Sequence, residues 1–322
     1  MIQPTEMKLE LRMDVHNSKS TTSKVWEMLV ASHEGNLDRV QALAQENPGL
    51  LYAQYNYTPP IHFAVREGHV DLVKYLLGQG ALDPTYRIYP FRDNLLTLAQ
   101  DRDDNTTAGL LQQYLSDPSL CKFSGDNGNI WYNRSEQEQA FENAVNKEDL
   151  EETERLLKEN PSMALDETFF WGEGILMMPA KKGNFKLIEL LMGHGARVPN
   201  LLKWTQFYYF ERYENAVYLM ENGMNPNVKS WQQVTILHDM AQKGSIPKAA
   251  LLLKHGADIN PVDEEYQSTP LGMAVRWGQT EMVDFLLQQG ADPNKAGAPW
   301  ATPLAWAIRG ERQDLIALLS RY

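Results

Sequence analysis

The sequence predicts an all-α protein built from repeated pairs of short helices. Between residues 233 and 297 a Thr, a hydrophobic pair, a small residue, a Gly, a Leu-Leu pair and a Gly-Ala-Asp occur twice. Gly244 corresponds to Gly278 and Gly256 to Gly290, so the period is 34 residues. A fixed period of this size indicates a stack of supersecondary units.

Each unit can be interpreted from its own residues. Thr269 is expected to cap a first helix, and Pro270 occupies a first-turn position that needs no N–H. Gly278 ends that helix. A second apolar helix follows over 281–289, and Gly290 supplies the left-handed residue that stops it. Two short helices cannot bury their apolar faces alone, so such units must stack on copies of themselves.

The repeated tetrapeptides point to a known family. They are TILH at 235–238, STPL at 268–271, ATPL at 301–304, HGAD at 255–258 and QGAD at 289–292. Together they resemble the ankyrin repeat. The resemblance implies a curved all-α solenoid of about nine helix-turn-helix modules with finger loops along one edge, several modules being degenerate. It also implies a role in binding proteins, because that is what most of the family does.

The period divides the chain into four segments. Residues 1–24 precede the first module and form a tail or a short strand, because apolar residues alternate with polar ones there. The N-terminal block of repeats covers 25–115, and the C-terminal block covers 137–322. Between them, 116–136 is rich in Gly, Asn, Asp and Ser and is expected to be an inserted loop.

One module of the C-terminal block departs from the period. The stretch LLKWTQFYYFERYENAVYLMENGM is shorter than its neighbours, which predicts that a finger loop is missing. We expect Trp204 and the aromatic run at 207–210 to belong to its first helix and to fill the core.

Composition excludes several classes of protein. A formal net charge of −12 argues against a nucleic-acid partner, since phosphate binding needs a basic surface. Only Cys121 is present, so no intramolecular disulfide can form, which favours a reducing compartment, the cytoplasm. No apolar run approaches the roughly 20 residues that span a bilayer, and the first residues lack the apolar core of a signal peptide. We therefore expect no membrane association, and a monomer.

Catalytic and metal sites find no support in the sequence. No two adjacent modules carry histidines at equivalent positions, and His62 and His238 are expected to bond the turn that precedes their helix. No nucleophile elbow or phosphate-binding Gly loop is present, and Cys121 has no His near it in sequence. We expect no enzyme activity, no catalytic residues, no cofactor and no metal.

Two positions on the first helix of each module are candidates for partner binding. They lie two and five residues before the inter-helix Gly, for which Glu311 stands in the last module. The two positions are three residues apart and so share one helix face. The candidates among them are Phe63, Arg66, Met178, Lys181, Met273, Arg276, Trp306 and Arg309. In ankyrin-like solenoids this face lines the concave surface. The alternative is that these residues are general features of ankyrin repeats.

Aromatic residues recur in the finger loops, where ankyrin repeats usually carry small or polar residues. The pattern predicts binding anchors at Tyr89, Trp171, Trp231, Tyr266 and Trp300. Exposed aromatic side chains bury a large area at a small cost in rotamer entropy. Packing of each aromatic on a neighbouring finger is the competing interpretation.

The leading hypothesis is a non-enzymatic scaffold that binds a protein or peptide in the concave groove and finger loops. One alternative is a regulatory inhibitor or immunity-type protein that acts through the 116–136 insertion. Another is a secreted effector, which would use the same binding physics in another cell. The sequence does not identify the partner, because one fold serves many functions.

Overall fold

The computed structural model describes residues 1–123, 125, 127–203 and 208–322, and the chain divides into two units. The N-terminal unit is Thr5–Asn133. The C-terminal unit combines Met1–Pro4 with Arg134–Tyr322. Helices arranged in pairs dominate both units, which confirms the predicted all-α class.

Three helix pairs form the N-terminal unit. Its helices are α1 (Thr5–Lys8), α2 (Thr22–His33), α3 (Leu37–Glu46), α4 (Pro60–Arg66), α5 (Val70–Gly78), α6 (Leu95–Asp101) and α7 (Asn105–Leu115), with short 3₁₀ turns at Pro48–Tyr52 and Pro118–Leu120. The inner helices α2, α4 and α6 pack side by side, and α5 packs on α7. This is the arrangement that a stack of helical modules requires.

Local chemistry explains where these helices begin and end. The side chains of Thr21, Asn36 and Asn94 accept hydrogen bonds from backbone N–H groups in the first turns of α2, α3 and α6. Gly35 and Gly68, each between the helices of a pair, have φ values of 70° and 75°. A side chain is disfavoured in that conformation, which explains the Gly at this position in these modules.

A three-stranded sheet completes the N-terminal unit. It contains β1 (Arg12–Val15), β2 (Ser18–Thr21) and β3 (Ile130–Trp131) in the antiparallel order β2-β1-β3. Met13 and Val15 are fully buried on one face of β1. The segment described above as a tail or strand thus includes a β-hairpin, and part of the 116–136 segment pairs with it.

The C-terminal unit contains most of the repeats. Its helices are α8 (Glu136–Lys147), α9 (Leu150–Glu159), α10 (Phe169–Gly172), α11 (Met177–Lys182), α12 (Phe185–Gly193), α13 (Tyr213–Glu221), α14 (Ile236–Gln242), α15 (Ile246–Lys254), α16 (Pro270–Arg276), α17 (Thr280–Gln288), α18 (Pro303–Arg309) and α19 (Gln313–Leu319). Two 3₁₀ turns cover Pro161–Leu165 and Pro299–Ala301, and β4 (Leu201–Leu202) pairs in parallel with β5 (Lys229–Ser230). The inner helices α14, α16 and α18 pack in succession.

The core lies between the two helix layers of each unit. In the module of α16 and α17, for example, Leu271, Ala274, Val283 and Leu286 are fully buried. Burying one Leu or Val side chain contributes about 1.5–3 kcal/mol, so the modules stabilise one another through these contacts. No helix in the described part of the chain is long and apolar enough to cross a bilayer.

The shortened module differs from its expected structure. Residues 208–210 are not helical, so the helix predicted there is wrong for these residues. Tyr209 and Phe210 are nevertheless buried, and the Tyr209 hydroxyl donates a hydrogen bond to the carbonyl oxygen of Glu173 at 2.7 Å. Trp204 and Phe207 lie outside the described residues.

Candidate functional site

The strongest candidate site lies on the inner helices α16 and α18 of the C-terminal unit. Both helices begin in the same way: Thr269 and Thr302 cap them, and each has a Pro in its first turn. Both end at an Arg in the last turn, Arg276 in α16 and Arg309 in α18. The two helices pack against each other, and both Arg side chains lie near the indole of Trp306 on α18.

Arg276 is surrounded by aromatic rings. Its guanidinium carbon lies 4.6 Å from the ring centroid of Tyr266, 4.3 Å from that of Trp277 and 5.0 Å from that of Trp306. Cation–π contacts of this length contribute about 0.5–2 kcal/mol each. The side chain is half-buried. These contacts hold the charge at a fixed place instead of leaving it on a mobile arm.

Trp306 connects the second cation to this group. Its ring centroid is 5.2 Å from the guanidinium carbon of Arg309 and 5.8 Å from the ring of Trp300, which meets it edge-on. The indole N–H donates to the Ser268 hydroxyl at 2.8 Å. Only 3 % of Trp306 is exposed, whereas Arg309 is exposed and Trp300 half-buried. We call Arg276, Trp277, Trp300, Trp306 and Arg309 the aromatic–arginine cluster.

Lys181 and Met178 occupy the equivalent positions on α11. The Lys181 ammonium nitrogen is 5.4 Å from the ring centroid of Tyr208, and the Lys181 side chain is exposed. Met178 is half-buried. The same pairing of a cation with an aromatic ring therefore recurs in an earlier module of the unit.

Asp239 gives the inner face a buried acid. It takes the same module position as Met273 on the neighbouring inner helix, and its side chain is fully buried. The Lys243 ammonium donates a hydrogen bond to Asp239 Oδ2 at 2.8 Å. Burial raises the pKa of Asp239 and outweighs the opposing effect of Lys243.

Five of the residues predicted to bind a partner are buried. Phe63, Met273, Trp231, Tyr266 and Trp306 are at most 3 % exposed, so their side chains belong to the core and are not available to a partner as the protein is folded. For the finger residues Trp231 and Tyr266, packing within the protein is therefore the correct interpretation. Large apolar side chains move inward wherever a neighbouring module offers a cavity, because burial of their area is favourable.

Arg66 also points inward. Its side chain is 1 % exposed, forms an ion pair with Glu67 at 2.7 Å and lies 5.0 Å from the Phe63 ring centroid. The Arg66 charge is thus paired within the N-terminal unit. The module position that exposes Arg309 therefore does not expose Arg66.

Two aromatic residues of the finger loops are exposed, and both have backbone in the left-handed region. Trp171 is 64 % exposed and Tyr57 is 66 % exposed, and their φ values are both 61°. The residue before each is also left-handed, Phe170 at 49° and Asn56 at 52°. Left-handed backbone is costly for residues with a β-carbon, and such strain is often retained where it serves function. Tyr89, half-buried, lies 6.3 Å from Tyr57 between ring centroids.

Trp277 is the cluster residue that the sequence reasoning missed. It follows Arg276 directly and precedes the inter-helix Gly, so it lies one residue outside the two module positions that were compared. Extending the comparison to that position would have found it. The histidine expectation is confirmed for His238, whose Nδ1 lies 2.8 Å from the Thr235 hydroxyl, and the His62 ring bonds the Tyr86 hydroxyl at 3.1 Å.

A metal site would need several acidic, histidine or cysteine side chains at one place. Within 1–123, 125, 127–203 and 208–322, no group of three or more of them is placed to hold a metal ion. The aromatic–arginine cluster itself presents two cations beside aromatic rings.

Comparison with known proteins identifies the repeats. Family models described as ankyrin repeats match residues 206–297 and 28–77. The Arf-GAP with coiled-coil, ANK repeat and PH domain-containing protein 2 of Rattus norvegicus is 36% identical over 95 residues, which is 29% of this chain and 11% of the relative.

Two further relatives match over similar lengths. The 2-5A-dependent ribonuclease of Mus musculus is 35% identical over 96 residues, covering 28% of this chain and 13% of the relative. The palmitoyltransferase ZDHHC13 of Homo sapiens is 33% identical over 94 residues, covering 29% of this chain and 15% of the relative. The matches span only a small part of these relatives, and what they share with this chain is the repeats. Ankyrin repeats are general protein-interaction modules, and this chain is an ankyrin repeat protein.

Proposed function

We propose that this protein is a non-enzymatic interaction protein of the cytoplasm that binds an acidic segment of a partner protein on the inner-helix face of its C-terminal unit. The observation that carries the proposal is the aromatic–arginine cluster. It holds the charges of Arg276 and Arg309 beside the single indole of Trp306, at 5.0 and 5.2 Å from its centroid. Arginine and aromatic residues are both enriched among the residues that contribute most to binding at the centre of protein interfaces.

Charge supports an acidic partner. The chain as a whole carries a net charge of −12, so a segment of the same sign is repelled by most of its surface. The guanidinium groups of Arg276 and Arg309 form a local positive region that attracts such a segment. Complementary charges at one place combined with like charges elsewhere give specificity as well as affinity.

The other candidates that are not buried supply further contacts with the partner. Lys181 and Met178 supply a cation and an apolar side chain on α11, and Trp300 flanks Trp306. Trp171 adds an exposed indole on a finger loop of the same unit, and Tyr89 is the corresponding candidate on a finger of the N-terminal unit. We assign partner contact to these residues and a supporting structural role to the buried ones. The protein acts as a monomer, without a cofactor and without nucleic acid.

The test is charge reversal with a matched control. Affinity capture from the native lysate compares the wild-type chain with the double variant Arg276→Glu and Arg309→Glu. The control double variant, Lys254→Glu and Lys295→Glu, changes the net charge by the same amount at exposed cations outside the cluster. Thermal unfolding shows that each variant is folded. Loss of a captured protein in the first variant alone supports the proposal, whereas equal capture by all three chains contradicts it.

A further inference from the structure

A second surface of different character lies on the small sheet of the N-terminal unit. Met13 and Val15 face the core, so the alternating residues Arg12 and Asp14 lie on the opposite face of β1. The strand register pairs Arg12 with Trp131 and Asp14 with Lys19. Directly paired residues share a face, so these four side chains form one group, which we call the Trp131 face.

The Trp131 indole is held in place but remains accessible. Its ring N–H donates to Asp14 Oδ2 at 2.8 Å, and the Lys19 ammonium donates to the other carboxylate oxygen. The Arg12 guanidinium carbon is 4.8 Å and the Lys19 nitrogen 5.8 Å from the indole centroid. Despite these contacts 51 % of Trp131 is exposed. A partner that covers it would lose little conformational entropy in the tryptophan, which favours binding.

The charges of this face do not cancel. Asp14 is 4 % exposed and is paired with Lys19. Arg12 is exposed, and in the part of the chain that the structure describes it has no ion-pair partner. The Trp131 face therefore carries an excess positive charge next to an exposed indole, on a chain whose net charge is −12.

The sheet has one edge that can accept another strand. Asp14 N–H donates to the Asn129 carbonyl at 2.9 Å, so the pairs 14/129 and 12/131 are the hydrogen-bonded ones. Antiparallel pairs alternate, so the N–H and C=O groups of Ile130 are directed away from β1. Among the described residues, no further strand pairs with the outer edge of β3. At the opposite edge, by contrast, the Asn47 side chain donates to the Lys19 carbonyl at 3.0 Å.

We propose that the Trp131 face is a second partner-binding surface, which takes an extended acidic segment of another protein along the β3 edge. Backbone hydrogen bonds to Ile130 would align the segment, as in other cases where a peptide adds a strand to a sheet. An apolar side chain of the segment would lie on Trp131, and a carboxylate beside it would pair with Arg12. This surface does not use the aromatic–arginine cluster, so it stands independently of the function proposed above.

The experiment selects ligands from a random twelve-residue peptide display library on the full chain. We expect enriched peptides with an acidic residue next to an apolar one. Their affinity should fall about tenfold or more with Trp131→Ala, which removes the aromatic anchor. Arg12→Gln removes the charge that would pair with the carboxylate of the peptide and leaves the indole and Asp14 in place, so the affinity should fall about threefold. Lys254→Gln removes the same charge at an exposed cation outside both proposed surfaces, so it is the matched control and should leave the affinity of these peptides unchanged.

Backbone pairing has its own test in synthetic versions of an enriched peptide. N-methylation at alternate residues should abolish binding, because a docked strand donates only every second N–H to the edge. The proposal is overturned if no peptide is enriched or if the enriched peptides are basic. It is also overturned if binding is insensitive to both Arg12→Gln and N-methylation, or if binding is lost with Lys254→Gln and retained with Arg12→Gln.

Discussion

Arg276 and Trp306 lie in neighbouring modules, with the guanidinium carbon of one 5.0 Å from the indole centroid of the other. The indole also donates a hydrogen bond to Ser268, before α16, so it contacts the preceding module twice. In a stack of repeats each module is stabilised mainly by its neighbours. Trp306 is therefore one of the contacts that attach the module of α18 and α19 to the rest of the C-terminal unit.

Trp306→Ala should destabilise this end of the stack. Truncation of a buried Trp costs about 3–5 kcal/mol, because it leaves a cavity. Trp306→Phe keeps an aromatic ring against Arg276 and Arg309 but loses the hydrogen bond to the Ser268 hydroxyl, which still has the carbonyl oxygens of Tyr266 and Ala301 as acceptors at 3.2 Å. It should therefore cost less, mainly the roughly 0.5–1.5 kcal/mol of one hydrogen bond. Urea unfolding measures both values, and amide hydrogen exchange should show protection lost first in α18 and α19. Trp171→Ala, at an exposed Trp, should stay within about 0.5 kcal/mol of wild type.

His238 and Asp263 give this unit two opposing responses to pH. His238 Nε2 lies 3.1 Å from the Ser268 carbonyl oxygen, and Asp263 Oδ2 accepts the Ser268 N–H at 3.1 Å. Burial lowers the pKa of His238 to about 4. Burial also raises the pKa of Asp263 to about 6, against hydrogen bonds from the backbone N–H groups of Tyr266 and Ser268. The pKa of each of the two groups thus lies outside its ordinary range.

The signs of the two effects differ. As pH falls from 6.5 towards 4, the unfolded chain protonates His238 before the folded protein does, so stability is lost. As pH falls from about 6 towards 3.8, the folded protein protonates Asp263 before the unfolded chain does, so stability is gained. In the wild-type protein these contributions oppose each other over most of this range.

Asp263→Asn should therefore expose the histidine effect. On acidification from pH 6.5 to 4 the variant should lose about 3 kcal/mol more unfolding free energy than wild type. Urea titrations at closely spaced pH values measure the difference, and the stability of each protein at pH 7 serves as its own reference. Parallel pH profiles for the two proteins would contradict the opposing roles of His238 and Asp263.

Tyr57→Gly should stabilise the N-terminal unit. Tyr55 and Thr58 form an antiparallel bridge, and Asn56 and Tyr57 between them are both left-handed. A two-residue hairpin turn of this kind favours Asn-Gly. Tyr57→Ala removes the same exposed ring but keeps the strained backbone, so the Gly variant should be more stable than the Ala variant by about 1 kcal/mol. Equal unfolding midpoints would show that the turn is not strained by Tyr57.

The sequence alone determined the repeated architecture of this protein. A Thr that caps a helix, a Gly with positive φ and a set of apolar positions act within one module, so their physical effects are local and recur with the period. The helix pairs around Gly244 and Gly278 followed from this, as did the bond between His238 and Thr235. Where the module pattern weakens, prediction weakened too, and the helix expected at 208–210 is absent.

Only the tertiary structure decided which side chains reach the surface. Arg66 and Arg309 take the same module position, yet one is enclosed beside Phe63 and the other is exposed. Trp231 and Trp171 are both finger aromatics, yet one is 1 % and the other 64 % exposed. The same holds for the pairing of β3 with β1, which brings Trp131 against Arg12 across more than a hundred residues of chain. Exposure and long-range pairing depend on how neighbouring modules and inserted segments fill space, and a pattern within one module contains no information about that.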